Sequence, residues 1–337
     1  MRRRGVTVLL GALLTTLLSI GVLAAPIPYV VLGPGPTVDT LGTQDGEEII
    51  KIDGRETSTS AGQLRLTTVG VQPSVKLRSA IAGWFSPERA VVPRELVYPP
   101  GQSREQVEER NAEEFTASQT SAETAALRKL GYPVQVVVRT VAADGPSAGR
   151  LQVGDVLTSV DGEPVTSANG LTGLIRARPV GSALAIGYTR GGVAGTATVT
   201  SREQDGRPRV GIEIEQQQPH PFTLEIDLGD IGGPSAGLMF ALGIVDKLDP
   251  EDLTGGRIVA GTGTIDEEGR VGPIGGIAQK LVGAKQAGAK VFLVPEANCA
   301  EALSNPQPGL PLLKVGTLDE ALTALETLRT GGEPTRC

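Results

Sequence analysis

The stretch Phe222-Thr223-Leu224-Glu225-Ile226-Asp227-Leu228-Gly229-Asp230-Ile231-Gly232-Gly233-Pro234-Ser235-Ala236-Gly237-Leu238-Met239-Phe240-Ala241-Leu242-Gly243-Ile244-Val245-Asp246-Lys247-Leu248 changes its hydrophobic period part-way along. Phe222 to Leu228 alternates apolar and polar residues and reads as a strand. Asp230 to Pro234 reads as a loop, and Ser235 to Leu248 as an apolar helix. Ser235 therefore falls at a strand-to-helix turn of an α/β fold, near the helix amino terminus. Free N–H groups of a first helical turn bind a developing oxyanion, and the helix dipole favours the charge that forms there. Gly232 and Gly233 supply backbone freedom and let a peptide come close. The motif alone fits a nucleophilic serine, with the backbone at Gly233 and Ala236 as candidate oxyanion donors. It fits an ordinary N-cap serine equally well.

A base is needed to decide between these. The chain has one histidine, His220, in a Gln- and Pro-rich loop, so a histidine-based triad would depend on that residue. Lysine is the other base that recurs with nucleophilic serines. Gly261-Thr262-Gly263-Thr264-Ile265 leads through Asp266 to Gly269 into Arg270-Val271-Gly272-Pro273-Ile274-Gly275-Gly276, a hairpin and tight turn before a helix bearing Lys280. The helical neighbours of Lys280 are Gly276, Ile277, Gly283 and Ala284, all apolar or small, whereas Lys285 and Lys290 lack such a setting. A lysine on an apolar face is desolvated, which lowers its pKa toward the neutral form that can accept a serine proton. Thr262 could orient the ammonium group through its hydroxyl. The string Gly-Pro-Ser-Ala-Gly also occurs at 145–149, but no lysine-bearing helix follows it at a matching distance. Ser147 reads as structural.

Tyr132 to about Arg202 has a different, β-rich character. Val134 to Val141 reads as a strand, followed by Gly145-Pro146-Ser147-Ala148-Gly149-Arg150-Leu151-Gln152-Val153-Gly154-Asp155-Val156-Leu157-Thr158-Ser159-Val160-Asp161-Gly162. The short turn-helix, the Gly-Asp before a strand and the Asp-Gly hairpin resemble a bacterial PDZ domain. Ala183 to Arg190, Gly191-Gly192 and Thr196 to Thr200 fit its closing hairpin. The resemblance implies peptide binding by strand addition, with a spacer as the other reading.

A length of 337 residues predicts two or three domains. The net charge of −7, the scarcity of aromatic residues and the absence of a basic cluster argue against nucleic-acid binding. Gly5 to Ala25 contains no charged residue and follows Arg2-Arg3-Arg4. As a helix it would span roughly 31 Å, enough to cross a bilayer, with the rest of the chain facing outward. A cleaved signal peptide ending at Val22-Leu23-Ala24 is the rival reading, although the run is long for one and Pro26 crowds the cut. Pro26 to Pro36 reads as a Pro/Gly-rich exit, Leu64 to Val69 as a strand, and Ser103 to Leu130 as a long helix with a Ser103/Gln106 capping box. Cys299 and Cys337 are the only cysteines; they could pair outside the cytoplasm or stay as thiols, and Cys337 lies on a tail expected to fray. They offer no metal spacing, and neither metal nor cofactor is expected.

Gly233-Pro234-Ser235-Ala236-Gly237, then Thr262-Gly263, then Pro273-Ile274-Gly275-Gly276 with Lys280, then Val294-Pro295 with Asn298, resemble the proteolytic domain of Lon proteases in order and spacing through about Leu328. Gly62 to Val69 and the helix ending near Leu130 look like the start of the same domain, with the PDZ region inserted. The resemblance implies an α/β (α+β) Lon-type fold, Ser235 as nucleophile, Lys280 as general base and Thr262 as a supporting hydroxyl. The whole arrangement resembles the membrane-anchored PDZ-containing Lon-like proteases of bacteria. The expected division is a cytoplasmic 1–4, an anchor 5–25, a linker 26–36, a Lon-like piece 37–131, PDZ 132–204, a proteolytic piece 205–330 and a tail 331–337. Lon proteins usually carry an ATPase module, but this chain has no Gly-x-x-x-x-Gly-Lys-[Ser/Thr]. The implied activity is ATP-independent endoproteolysis of unfolded or flexible protein segments, at the outer side of the cell membrane. An inactive PDZ scaffold and a Ser-Lys amidase on a small molecule are the alternatives; rings of the chain are plausible by the same resemblance.

Overall fold

The structure is a computed structural model that describes residues 2–44, 46–229 and 232–337, without the side chains of 2–6. It divides into two compact units. The first gathers 1–52, 56–125 and 224–337, and the second 53–55 and 126–223. The chain thus leaves the first unit, completes the second and returns.

A six-stranded mixed sheet organises the first unit. Its order is Leu312–Val315, Val291–Pro295, Ile258–Gly261, Gln63–Gln72, Tyr29–Asp39, Ala90–Pro93. The first four strands are parallel, and the last two join antiparallel. Val291–Pro295 is buried at every position, as a parallel strand covered on both faces must be. The helix Gly237–Leu248 is buried along its whole length, and Phe240 meets Phe115 of the long helix Arg104–Lys129 edge-on. The helix Ile277–Gln286 packs Ile277, Leu281 and Ala284 against Phe292 and Val294. Burial of each such leucine or isoleucine contributes about 1.5–3 kcal/mol and fixes that helix on the sheet.

Several segments depart from the sequence reading. The stretch 26–36 is not a free linker: Tyr29–Asp39 is a strand with neighbours on both sides. Its prolines are tolerated because pairing shifts between Pro34 and Thr37, where ladder bonds are interrupted anyway. Gly35 sits there because a Cβ would lie 2.8 Å from the Thr68 carbonyl carbon. The tail is not frayed either. Leu313 bridges Arg336 antiparallel, Cys337 N–H donates to Leu312 O at 3.1 Å, and Cys337 is disulfide-bonded to Cys299 with Cα atoms 5.2 Å apart. The strand expected over Phe222–Leu228 covers only Thr223–Ile226. Of the loop expected at Asp230–Pro234, Asp230 and Ile231 lie outside the described residues.

The second unit is a sheet ordered Val193–Thr200, Ala183–Arg190, Val156–Val160, Gln135–Val141, Ile212–Gln217, with the helix Ala168–Arg176. Its core gathers Val136, Leu157, Leu171, Leu184, Ile186 and Val199. The Asp-Gly hairpin uses Asp161 and Gly162 at positive φ, as its turn type requires. Asp155 of the Gly-Asp pair is fully buried and accepts from Arg190 and Gln152 N–H, which hold its carboxyl below the usual range, the Arg190 bond most of all. Ile212–Gln217 pairs with Gln135–Val141, so this sheet extends past the boundary expected at 204.

Candidate active site

The serine turn is held from two sides, by the helix Arg104–Lys129 and by Thr262 and Gly263. Gly233 adopts φ 99°, a conformation that strongly favours glycine, and its N–H donates to Asn111 O at 3.1 Å. Ser118 Oγ donates to Pro234 O at 3.0 Å. The Ser235 carbonyl accepts from Gly263 N–H at 2.9 Å and from Thr262 Oγ1 at 3.0 Å. Pro234–Ala236 forms a 3₁₀ turn that runs into the buried helix. These bonds leave the Ser235 side chain to face Lys280.

Lys280 Nζ lies 2.7 Å from Ser235 Oγ and 2.9 Å from Thr262 Oγ1, so one amine meets two hydroxyls. Lys280 is 2% exposed and Thr262 is fully buried. Burial of the ammonium pulls its pKa down to about 8. The loop before its helix is clamped by Asn298, whose Oδ1 accepts from Ile274 N–H at 2.9 Å and whose Nδ2 donates to Ile274 O at 3.0 Å. Ser235 and Lys280 line a cleft of about 550 Å³, with Leu66 to Val69 on one wall and Pro273 to Gly275 on another.

The structure brings Ser235, Lys280 and Thr262 together, with Ala236 next in the turn. It departs at Gly233: its N–H is committed to Asn111 O, so in this structure it is not available to an oxyanion. Ser147 belongs to the second unit, where its fully buried hydroxyl donates to Val210 O at 2.7 Å. His220 also belongs there, its ring against Phe222 and Tyr132. Sequence reasoning missed Asn111 and Ser118. Their spacing with Phe115 (i, i+4, i+7) marks one helix face, which is the signal that could have found them. Among the described residues, no group of three or more His, Cys, Asp or Glu could hold a metal ion.

Residues 225–327 match the family model of the Lon protease (S16) C-terminal proteolytic domain, and 106–200 match that of the PDZ domain. The chain carries a Lon-type C-terminal proteolytic domain and a PDZ domain. Lon protease 2 of Bacillus subtilis (strain 168) is 29% identical over 205 residues, which is 58% of this chain and 34% of that protein. The Lon protease of Azorhizobium caulinodans is 41% identical over 93 residues, 27% of this chain and 11% of its own. The chain thus spans about a third or less of the curated relatives it matches. Among solved structures, the PDZ domain of an SdrC-like protein from Listeria monocytogenes is 30% identical, covering 23% of this chain and 85% of its own, with a TM-score of 0.23. The mixed α/β first unit agrees with the fold class read from sequence.

Proposed function

We propose that this chain is an ATP-independent serine endopeptidase working through a Ser235–Lys280 dyad, anchored in the membrane with its catalytic domain outside the cytoplasm. The 2.7 Å approach of the buried Lys280 Nζ to the half-buried Ser235 Oγ carries the reading. Neutral Lys280 takes the hydroxyl proton as Ser235 Oγ attacks the scissile carbonyl. The resulting ammonium protonates the leaving amine, and an acyl-serine ester remains. Lys280 then takes a proton from water as that water attacks the ester, and returns the proton to Ser235 Oγ as the ester bond breaks and the acid product leaves. Thr262 Oγ1 holds the amine toward Ser235, and the Ala236 N–H at the start of the turn is the candidate oxyanion donor.

Substrates reach the dyad as extended segments. No phosphate-binding loop in this chain supplies ATP-driven unfolding, which favours unfolded or flexible regions. In the second unit, a groove of about 750 Å³ runs between the helix bearing Leu171 and Ile175 and the edge strand bearing Ile212 and Ile214. An edge strand beside an apolar helix suits an added peptide strand, so this groove selects or presents substrate, or gates the site. The helix Arg2–Ala24 is apolar and unburied over Thr7–Ala24, which fits an anchor and also fits a signal sequence. The Cys299–Cys337 disulfide favours an oxidising compartment for the domain that follows.

Labelling with a serine-reactive probe, alongside cleavage of an unfolded protein such as casein, tests the dyad. Wild type should label and cleave with or without ATP, and Ser235→Ala should do neither. Cleavage by folded Ser235→Ala protein refutes the mechanism, and clear stimulation by ATP refutes ATP independence.

A further inference from the structure

The short helix Leu77–Trp84 in the first unit has its pattern reversed. Its small residues face the protein: Ala80 is fully buried, and a Cβ on Gly83 would lie 2.9 Å from Val91 Cγ2. Its large apolar residues face away. Trp84 is 60% exposed and Phe85, which caps the helix, is 85% exposed. Ile81 is exposed too, and Leu77, Ile81, Trp84 and Phe85 share the i, i+4, i+7, i+8 spacing of one face. Trp84 is the only tryptophan in the chain, and its ring meets Tyr29 edge-on at 6.4 Å. A contiguous exposed aromatic face of this kind marks an interaction surface.

Its position identifies the occupant. Leu77 N–H donates to Ala25 O at 3.1 Å, and Pro26–Ile27 pairs with Val75–Lys76. The helix therefore begins one residue from the end of the apolar helix Arg2–Ala24. If that helix crosses a bilayer, the Trp84–Phe85 face lies at headgroup level, where amphipathic aromatic rings collect. Around it, residues 76–95 carry four basic side chains, Lys76, Arg78, Arg89 and Arg94, all exposed, against Glu88 and Glu95. This is a positive collar on a chain of net charge −7, complementary to anionic lipid.

We propose that the exposed face of Leu77–Trp84, with Phe85, docks into the headgroup–acyl boundary beside the exit of the anchor helix, its basic collar contacting anionic headgroups. The docking rests on the anchored reading above. It gives the first unit a second attachment to the bilayer.

The full chain, reconstituted into phosphatidylcholine–phosphatidylglycerol vesicles, tests this through the fluorescence of Trp84 alone. Lipids brominated near the headgroup should remove most of the emission, more than lipids brominated deep in the chain, while iodide present on both faces should remove little. Lys76→Glu/Arg78→Glu should weaken the lipid quenching in anionic vesicles and change little in pure phosphatidylcholine. If the chain resists an alkaline wash yet Trp84 responds to iodide and not to brominated lipid, the docking is wrong and the anchor stands. Protection from both quenchers would mean a protein covers the face, which also overturns the docking. A chain stripped off by alkali overturns the anchor, and the docking with it.

Discussion

The rate of peptide cleavage should rise with pH through the titration of Lys280. Its amine must be neutral to accept the serine proton, and burial has brought its pKa down to about 8. With that value, about one lysine in eleven is neutral at pH 7 and about ten in eleven at pH 9, so kcat/KM should climb about tenfold between them. The sign follows from the role: a general base gains activity as it loses its proton. A short fluorogenic peptide, small enough to reach Ser235 unaided, reports this without interference from substrate unfolding. Lys280→Arg should be inactive across the whole range, because a guanidinium stays protonated. A flat profile from pH 6.5 to 9.5 would falsify the assignment of Lys280 as base. An inflection near the ordinary lysine value of about 10.4 would show instead that the amine is solvated in the working enzyme.

The same burial has a stability signature. Because the folded pKa is lowered from 10.5 to about 8, holding the ammonium costs about 3 kcal/mol, fully present below pH 8 and fading as pH rises toward 10.5. Lys280→Met removes that cost but leaves the Ser235 and Thr262 hydroxyls without their amine, about 1 kcal/mol each, so thermal unfolding at pH 7 should shift upward modestly and the gain should disappear by about pH 10. Thr262→Val keeps the shape and loses two hydrogen bonds, the one from Lys280 and the one to the Ser235 carbonyl; kcat should fall about tenfold or more with KM nearly unchanged, and an unaltered kcat would remove Thr262 from the site. Ser147→Ala should destabilise the second unit by about 1 kcal/mol in a melting experiment while peptide cleavage continues; loss of cleavage in folded protein would mean the first Gly-Pro-Ser-Ala-Gly copy had been misread. Cys337→Ser opens a cross-link that spans 38 residues and should lower stability by up to about 4 kcal/mol, and an unchanged melting curve would show that the tail holds without it.

The parts of the site that could be read from sequence were those whose cause is local. A period change places Ser235 at a turn, and apolar residues at helical spacing single out Lys280 among its neighbours. The parts that escaped depend on partners far along the chain. Pro34 and Pro36 look like a linker because composition cannot show that Tyr29–Asp39 pairs with strands on both sides. Asn111 and Ser118 look like solvated residues of a polar helix until the serine turn is laid against them. The tail looks free because its hydrogen bonds are to Leu312 and Lys314, and its cross-link is to Cys299. Inverted polarity at Leu77–Trp84 was legible in principle, but the sequence alone does not say which face of a two-turn helix meets the protein.

The division of the first unit on either side of the second also bears on when the chain can act. Ser118 meets Pro234 across a sequence separation of 116, and Thr67 Oγ1 donates to Gly261 O across one of 194. Contacts of such long range form slowly, since the entropy of closing the loop is lost before the contact rewards it. A ribosome that has passed the helix Arg104–Lys129 must still make the second unit, the serine turn and the lysine helix before the brace on Ser235 has anything to hold. If Ser235 and Lys280 act as proposed above, the nascent chain is therefore silent by construction: it cannot cut until the serine turn and the lysine helix have both been made. No removable inhibitory segment is required for that silence; the order in which the pieces are translated supplies it.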